Sequence, residues 1–188
     1  LINKIENFPY YIVIVGFEKA KIKNVEKLFK EIQTKTKDAI IQLFDANSIA
    51  GKEHLYFATL NALTAFKNKT NISNNPAIEI LLYASAHRQI VNALKKIGIK
   101  PETREIAAAI VTEKPEQINQ MIELLSKLLS AQRNDMVVEL TEKKIKKIKD
   151  LFEISELEFQ TEVEMNSSKV EALKDLVIEH IALLATQR

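Results

Sequence analysis

The side chains able to do acid–base, nucleophilic or metal chemistry are few and scattered in this sequence. There is no cysteine, which removes disulfides, thiolate zinc sites, iron–sulfur clusters and a thiol nucleophile. The three histidines, His54, His87 and His180, are not spaced as metal ligands and no acid cluster accompanies them. Ser85 lacks the context of a nucleophile elbow, and Glu53 and Glu79 fall on separate helical stretches. Gly16 and Gly51 are too sparse to build a phosphate-binding loop. The expectation is a chain that does not catalyse and holds no metal or cofactor. One polar cluster stands out, Ser85-Ala86-His87-Arg88-Gln89, set between two apolar helical runs. It is either a re-capped junction or a place where backbone amides and Arg88 face an anion at a helix start.

The elements that position this cluster run from Gly51 to Lys100. Leu55, Thr59, Ala62, Leu63 and Phe66 recur at helical spacing and share one face. His54, Phe57, Asn61, Thr64 and Asn68 fall on the other, so His54 reads as a surface residue. The stretch after Lys67 is asparagine-rich and reads as a loop. Asn75-Pro76 restarts the helix, because Asn caps the orphan amides and Pro suits the first helical position. Ile78, Leu81, Leu82 and Ala84 are too apolar for a surface helix. Ile90, Leu94 and Ile97 resume the stripe, and Gly98 ends it.

The rest of the chain reads as an α+β fold. The 188 residues imply a single compact domain spanning 1–188, with a central mostly antiparallel or mixed sheet of about four to five strands and about six helices. Tyr10 to Phe17 and Ala39 to Phe44 are strands, separated by a helix that Asn24 caps; a third strand spans Arg104 to Thr112. The lysines around that first helix are offset by glutamates and read as a solvated face. Glu113 to Ser130 is amphipathic. Asp135 to Leu140 reads as a short fourth strand, and Leu157 to Val163 as a charged edge strand. Between them Thr141 caps a lysine-rich helix docked by Ile145, Ile148, Leu151 and Phe152; its lysines read as a solubilising face, with phosphate contact as the other reading. The last helix, from Ser168 to about Ala185, has a core stripe of Val170, Leu173, Val177, Ile181 and Leu184. Leu176 and Leu183 lie on a different side, beside Ala172. Either the domain covers that helix on two sides or it offers a face to a partner. The net charge of +2 excludes a strongly basic nucleic-acid binder. No apolar run reaches spanning length and Leu1 onward lacks a signal-peptide layout, so the chain reads as cytoplasmic, or nuclear in a eukaryote.

The block Ile78-Glu79-Ile80-Leu81-Leu82-Tyr83-Ala84-Ser85-Ala86-His87-Arg88-Gln89-Ile90, followed by Ala93, Ile97-Gly98-Ile99 and Lys100, resembles the signature of the PRPK-binding (TPRKB-like) subunit family of the KEOPS complex. Leu43-Phe44-Asp45-Ala46, Ile49-Ala50 and Lys52-Glu53-His54 are similar to the same family. The likeness covers about Ile41 to Lys100 and is architectural beyond it. The family commonly has Ser-Gly at the junction where this chain has Ser85-Ala86; a glycine needed there for positive φ makes Ala86 a point of difference.

The resemblance implies a regulatory subunit of the complex that makes threonylcarbamoyladenosine at position 37 of tRNA. Such a subunit binds and stimulates the small PRPK-type kinase/ATPase, meets the catalytic and dimerising subunits only indirectly, and captures the 3′ CCA end of tRNA. It implies a kinase interface on the last helix, at Ala172, Leu176, Glu179 and Leu183. It implies tRNA contacts from Lys52, His54, Lys67, Lys69, Asn71, Asn74, Arg88 and Gln89, since a single-stranded end needs only modest charge, polar groups and stacking. The rival expectation is a self-associating structural or regulatory protein with Leu176 and Leu183 closing a homodimer.

Overall fold

In a computed structural model of the chain, residues 2–5 and 8–186 are described. The elements run β1 (Ile2–Lys4), β2 (Tyr11–Glu18), α1 (Val25–Lys35), β3 (Ala39–Asp45), α2 (Lys52–Lys67), α3 (Pro76–Ser85) and α4 (Ile90–Ile97). They continue with β4 (Ile106–Thr112), α5 (Ile118–Leu129), β5 (Gln132–Arg133), α6 (Glu142–Phe152), α7 (Glu156–Asn166) and α8 (Lys169–Leu183). The architecture is α+β with an antiparallel sheet. The chain forms two compact units, one built from the described residues of Leu1–Asn47 with Gly98–Val138, the other from Ser48–Ile97 with the described residues of Glu139–Arg188. No described helix is long and apolar enough to cross a membrane.

The first unit is built on a sheet of order β1-β2-β4-β3, with β5 sharing the β1 side of β2. β4 pairs with β2 from Tyr11↔Thr112 to Phe17↔Ile106, and with β3 from Ala39↔Thr112 to Asp45↔Ile106. These β-branched runs alternate sides, so one face of the sheet collects Val13, Val15, Phe17, Ile41, Leu43 and Ile110. Leu28 and Ile32 of α1 and Met121 and Leu125 of α5 close over that face in one core. α1 starts where Asn24 accepts a hydrogen bond from Lys27 N at 2.8 Å.

The expected strand over Asp135 to Leu140 is instead a single 3-10 turn, Asp135–Val138. Gly16 anchors its start: Asn134 N donates to Gly16 O at 2.9 Å, and Gly16 N donates to the Asp135 side chain at Oδ1, 3.1 Å away. The apolar Val137 and Val138 are buried by this crossing and not by a sheet ladder. A Cβ on Gly16 would stand 2.4 Å from Asn134 O and 2.7 Å from Val137 Cγ2. The sparse glycine thus permits a close backbone crossing.

The second unit is helical. α2 and α3 form a hairpin, α4 follows against α3, and α8 packs on α2, α3, α6 and α7. Asn75 caps α3, accepting from Ala77 N at 2.9 Å, with Pro76 at its first position. The expected edge strand over Leu157 to Val163 is α7. Ser155 Oγ accepts from Glu158 N at 3.2 Å while Glu158 Oε2 accepts from Ser155 N at 2.8 Å. That reciprocal capping box starts a helix. It overrides the alternation of Leu157, Phe159, Thr161 and Val163 that imitates a strand.

Gly16→Ala is expected to lower stability by about 1–3 kcal/mol, because the methyl group overpacks a site whose nearest neighbour is backbone. A urea midpoint unchanged from the parent protein would contradict this account of the crossing.

Candidate functional site

The helical unit is pinned by a histidine that the sequence pattern placed on the surface. His54 is fully buried, which corrects that expectation and removes it from any surface that touches RNA. Ala50 N donates to His54 Nδ1 at 3.1 Å, and Nε2 lies 2.8 Å from Ala84 O. The first contact requires a bare Nδ1, so the proton sits on Nε2 and is donated to the last turn of α3. The ring also meets Phe152 of α6 edge-on, with centroids 5.4 Å apart. Burial drives the imidazole down to about 4, with the Lys96 charge acting in the same direction and the Ala84 carbonyl opposing. Lys96 itself is lowered to about 8 by burial, its ammonium 4.0 Å above the Phe152 ring.

A second buried polar group shapes the loop between α2 and α3. The carboxylate of Glu79, in the first turn of α3, accepts from Ile72 N at 2.9 and 3.1 Å and from Ser73 N at 2.7 Å. Asn71 Nδ2 donates to Ser73 O at 3.2 Å, and Thr70 N bonds to Ala65 O at 2.9 Å. A run of asparagines thereby takes one fixed path. At the other end of α3, Ala86 adopts φ 55°, ψ 31°, the left-handed conformation expected of a glycine. Ala86 N bonds to Tyr83 O and His87 N to Leu82 O, closing the helix despite a steric cost of about 1 kcal/mol.

Together these restraints shape a cavity of about 240 Å³ in the helical unit, open to solvent on the side of Thr64, Asn68, Thr70 and Arg88. Its walls are Asn61, Thr64 and Asn68 from α2 and its cap, Thr70 and Ile72 from the loop, Tyr83 from α3, Arg88, and Leu184 and Ala185 after α8. The volume falls below the roughly 300–1,000 Å³ of ordinary ligand pockets, and the lining mixes one guanidinium with amides, hydroxyls and a phenol. Burial and the Glu79 carboxylate raise the Tyr83 phenol while Arg88 opposes them, so the phenol keeps its proton and donates. The arrangement offers hydrogen-bond donors, acceptors and one positive charge to a small polar group carrying negative charge.

Of the residues expected to meet RNA, Arg88 lines this cavity. Lys67 and Lys69 are exposed, Asn74 is exposed, and Asn71 is half-buried; all four belong to the 67–74 segment that supplies one wall. Gln89 is exposed and its Oε1 accepts from Asn92 Nδ2 at 3.0 Å. Lys52 lies at the opposite end of α2, about 14 Å along the axis from Asn61, where it pairs with Glu139 at 2.5 Å. Tyr83 and Glu79 carried no expected role. Asn61, Thr64 and Asn68 were visible as a polar stripe at three- and four-residue spacing, the only signal that pointed to this wall.

The expected apolar face of α8 is corrected in part. Ala172 is fully buried and Leu176 is 7% exposed, because α8 is flanked by α2, α3, α6 and α7. The segment expected to be a strand is the helix α7 lying along α8. Glu179 is exposed and Leu183 is 49% exposed. Exposed apolar side chains also lie on α4, as they do at Leu157 and Met165 of α7. Ala93 and Ile97 point inward, whereas Ile90, Val91 and Leu94 are 43%, 62% and 44% exposed. Arg88 and Leu184 line one cavity, which brings the start of α4 close to the end of α8.

Compared with known proteins, residues 20–185 match the family described as Kinase binding protein CGI-121. The Regulatory protein Cgi121 of Methanocaldococcus jannaschii is 31% identical over 113 residues, which cover 60% of this chain and 70% of that protein.

A neutral buried His54 makes stability depend on pH. The imidazole titrates near 6.5 when unfolded and about 4 when folded, so its contribution is complete above pH 6.5 and fades as pH falls toward 4. The full loss is roughly 3 kcal/mol. His54→Gln, which cannot ionise, is expected to be less stable at pH 8 and to lack this part of the acid slope. Parallel slopes for the two proteins between pH 6.5 and 4, read by urea unfolding, would contradict the assignment.

Proposed function

This chain belongs to the kinase binding protein CGI-121 family, and on that premise we propose that it is a non-catalytic regulatory subunit of the KEOPS complex. It binds and stimulates the small kinase/ATPase subunit, and it helps bring tRNA to the complex by holding the 3′ CCA end. The catalytic subunit of such a complex performs the threonylcarbamoyl transfer, so this chain needs no reactive centre. Its one fully buried histidine is consumed by structure, with both ring nitrogens engaged.

The observation that carries the RNA half of the proposal is the cavity lined by Arg88, Tyr83, Asn61 and Asn68. A terminal nucleotide presents a base edge, hydroxyls and one phosphate, which amides, a phenol and a single guanidinium satisfy without a basic domain. Lys67 and Lys69, exposed on the adjoining segment, add charge for the preceding phosphates. For the kinase half, the exposed Ile90, Val91 and Leu94 supply an apolar core, with Leu183 and Glu179 as further contacts at the end of α8.

Binding of the purified chain to full-length tRNA and to the same tRNA lacking its terminal CCA tests the RNA role. Removal of CCA is expected to weaken binding at least tenfold, and Arg88→Ala to weaken binding of the intact tRNA while the kinase complex still forms. Equal affinity for both RNAs would overturn it. Val91→Glu is expected to abolish the kinase complex on gel filtration, since an unpaired carboxylate in an apolar interface costs about 2–4 kcal/mol. A normal complex would place the kinase elsewhere, and a parent chain that dimerises through the same patch would favour self-association.

A further inference from the structure

The face of α2 that walls the cavity extends past it. Asn61, Thr64 and Asn68 line the cavity, and Phe57 lies four residues before Asn61, on the same side of the helix. Phe57 is 39% exposed, although it is a large aromatic ring in the middle of a helix. Single exposed apolar residues are ordinary; the surroundings of this one set it apart. Tyr56 meets the ring edge-on, with centroids 5.4 Å apart and planes at 79°, and so braces it. α8 runs beside α2 in the same direction. Glu53 and Lys174 stand 3.8 Å apart near one end, while Asn61 and Thr64 share the cavity with Leu184 and Ala185 at the other. Phe57 and the half-buried Ile178 each lie four residues past that ion pair, which puts both along the groove between the two helices. The positions that follow Ile178 on that side, Ala182 and Ala185, are small and exposed, and Ala185 already lines the cavity.

We propose that Phe57 is a stacking platform for a nucleobase: the base next to the terminal one lies on its ring while the terminal nucleotide occupies the cavity. The inference rests on the RNA reading above and deepens it. Every base has a π-face, so stacking on an aromatic side chain binds a single strand without charge and tolerates any sequence. Phe57 stands about 6 Å along α2 from Asn61, wider than the roughly 3.4 Å between stacked neighbours in a strand. The two bases therefore part from each other, one meeting hydrogen-bonding groups in the cavity and the other lying flat in the groove, as single-strand recognition requires. A protein is the competing occupant. The cores of protein interfaces cluster apolar side chains, whereas the neighbours of Phe57 along its stripe are the amides of Asn61 and Asn68 and the hydroxyl of Thr64. A lone ring continuous with a polar cavity favours RNA.

The test titrates the parent chain and Phe57→Ala with a short single-stranded RNA ending in CCA, and with the same RNA lacking the base of its penultimate nucleotide. Phe57→Ala is expected to bind the intact RNA about fivefold or more weakly, with an unchanged log–log salt slope because no charge is lost, and to form the kinase complex as the parent does. Removing the base is expected to cost the parent a similar factor and the variant almost nothing. The chain has no tryptophan, so Phe57→Trp places a single indole at the platform; this variant is expected to keep its affinity and to lose emission when the intact RNA is added. Unchanged RNA affinity in Phe57→Ala, with Arg88→Ala still weakened, overturns the platform and leaves the cavity standing. Losses that add in full when the variant meets the RNA without that base overturn it as well, and so does a loss confined to the kinase complex. A parent chain that binds neither RNA removes both the platform and the tRNA half of the proposed function.

Discussion

One neutral imidazole holds the helical unit in register. His54 receives an N–H from Ala50, where the chain enters α2, and gives its own to Ala84, where α3 ends. Because donor and acceptor are both backbone groups, the two connections are fixed whatever the neighbouring side chains do. Protonating Nδ1 would turn a donor toward Ala50 N–H and leave a charge in a fully buried position. The remaining parts follow. Phe152 packs on the ring and seats α6, and Lys96 covers Phe152 from α4. The fixed end of α3 sets where Ala86 turns the chain toward Arg88.

The same economy explains the loop that walls the cavity. A polar segment of asparagines, lysine and threonine has no core of its own to order it, so the order comes from α3, through the buried Glu79 carboxylate that collects the amides of Ile72 and Ser73. Residues that touch nothing bound thus determine the shape available for binding. The left-handed Ala86 belongs to the same group: its strain is kept because the hydrogen bonds at the end of α3 over-determine it.

Much of the fold was legible in the sequence, for definite reasons. The β-branched runs of β2, β3 and β4 and the Asn24 and Asn75-Pro76 caps each carry their own local signal. The block from Ile78 to Ile90 carried the family. α7 misled because its apolar residues alternate, which is a strand's period, although the capping box at Ser155 was written in the sequence as well; the outcome leaves Leu157 79% exposed. His54 misled because a histidine scores as polar and its partners are carbonyl and amide groups that no side-chain pattern reveals. Leu176 misled because α8 packs on α2, α3, α6 and α7, one of which, α7, was taken for a strand. The cavity was legible only in its α2 wall, since its other walls come from segments distant in sequence and meet only on folding.

In this account the helical unit bears both proposed activities at separate places, an apolar patch on α4 for the kinase and the cavity beside the 67–74 segment for the RNA end. Hydrogen exchange of the backbone, measured for the chain alone, with the small kinase, and with a short CCA-ending RNA, tests that division most directly. The account predicts protection by the kinase over Ile90–Ile97 and, separately, protection by the RNA over residues 61–74 and at Arg88. Both ligands protecting one common segment, or a kinase footprint confined to the acidic α7, would contradict it.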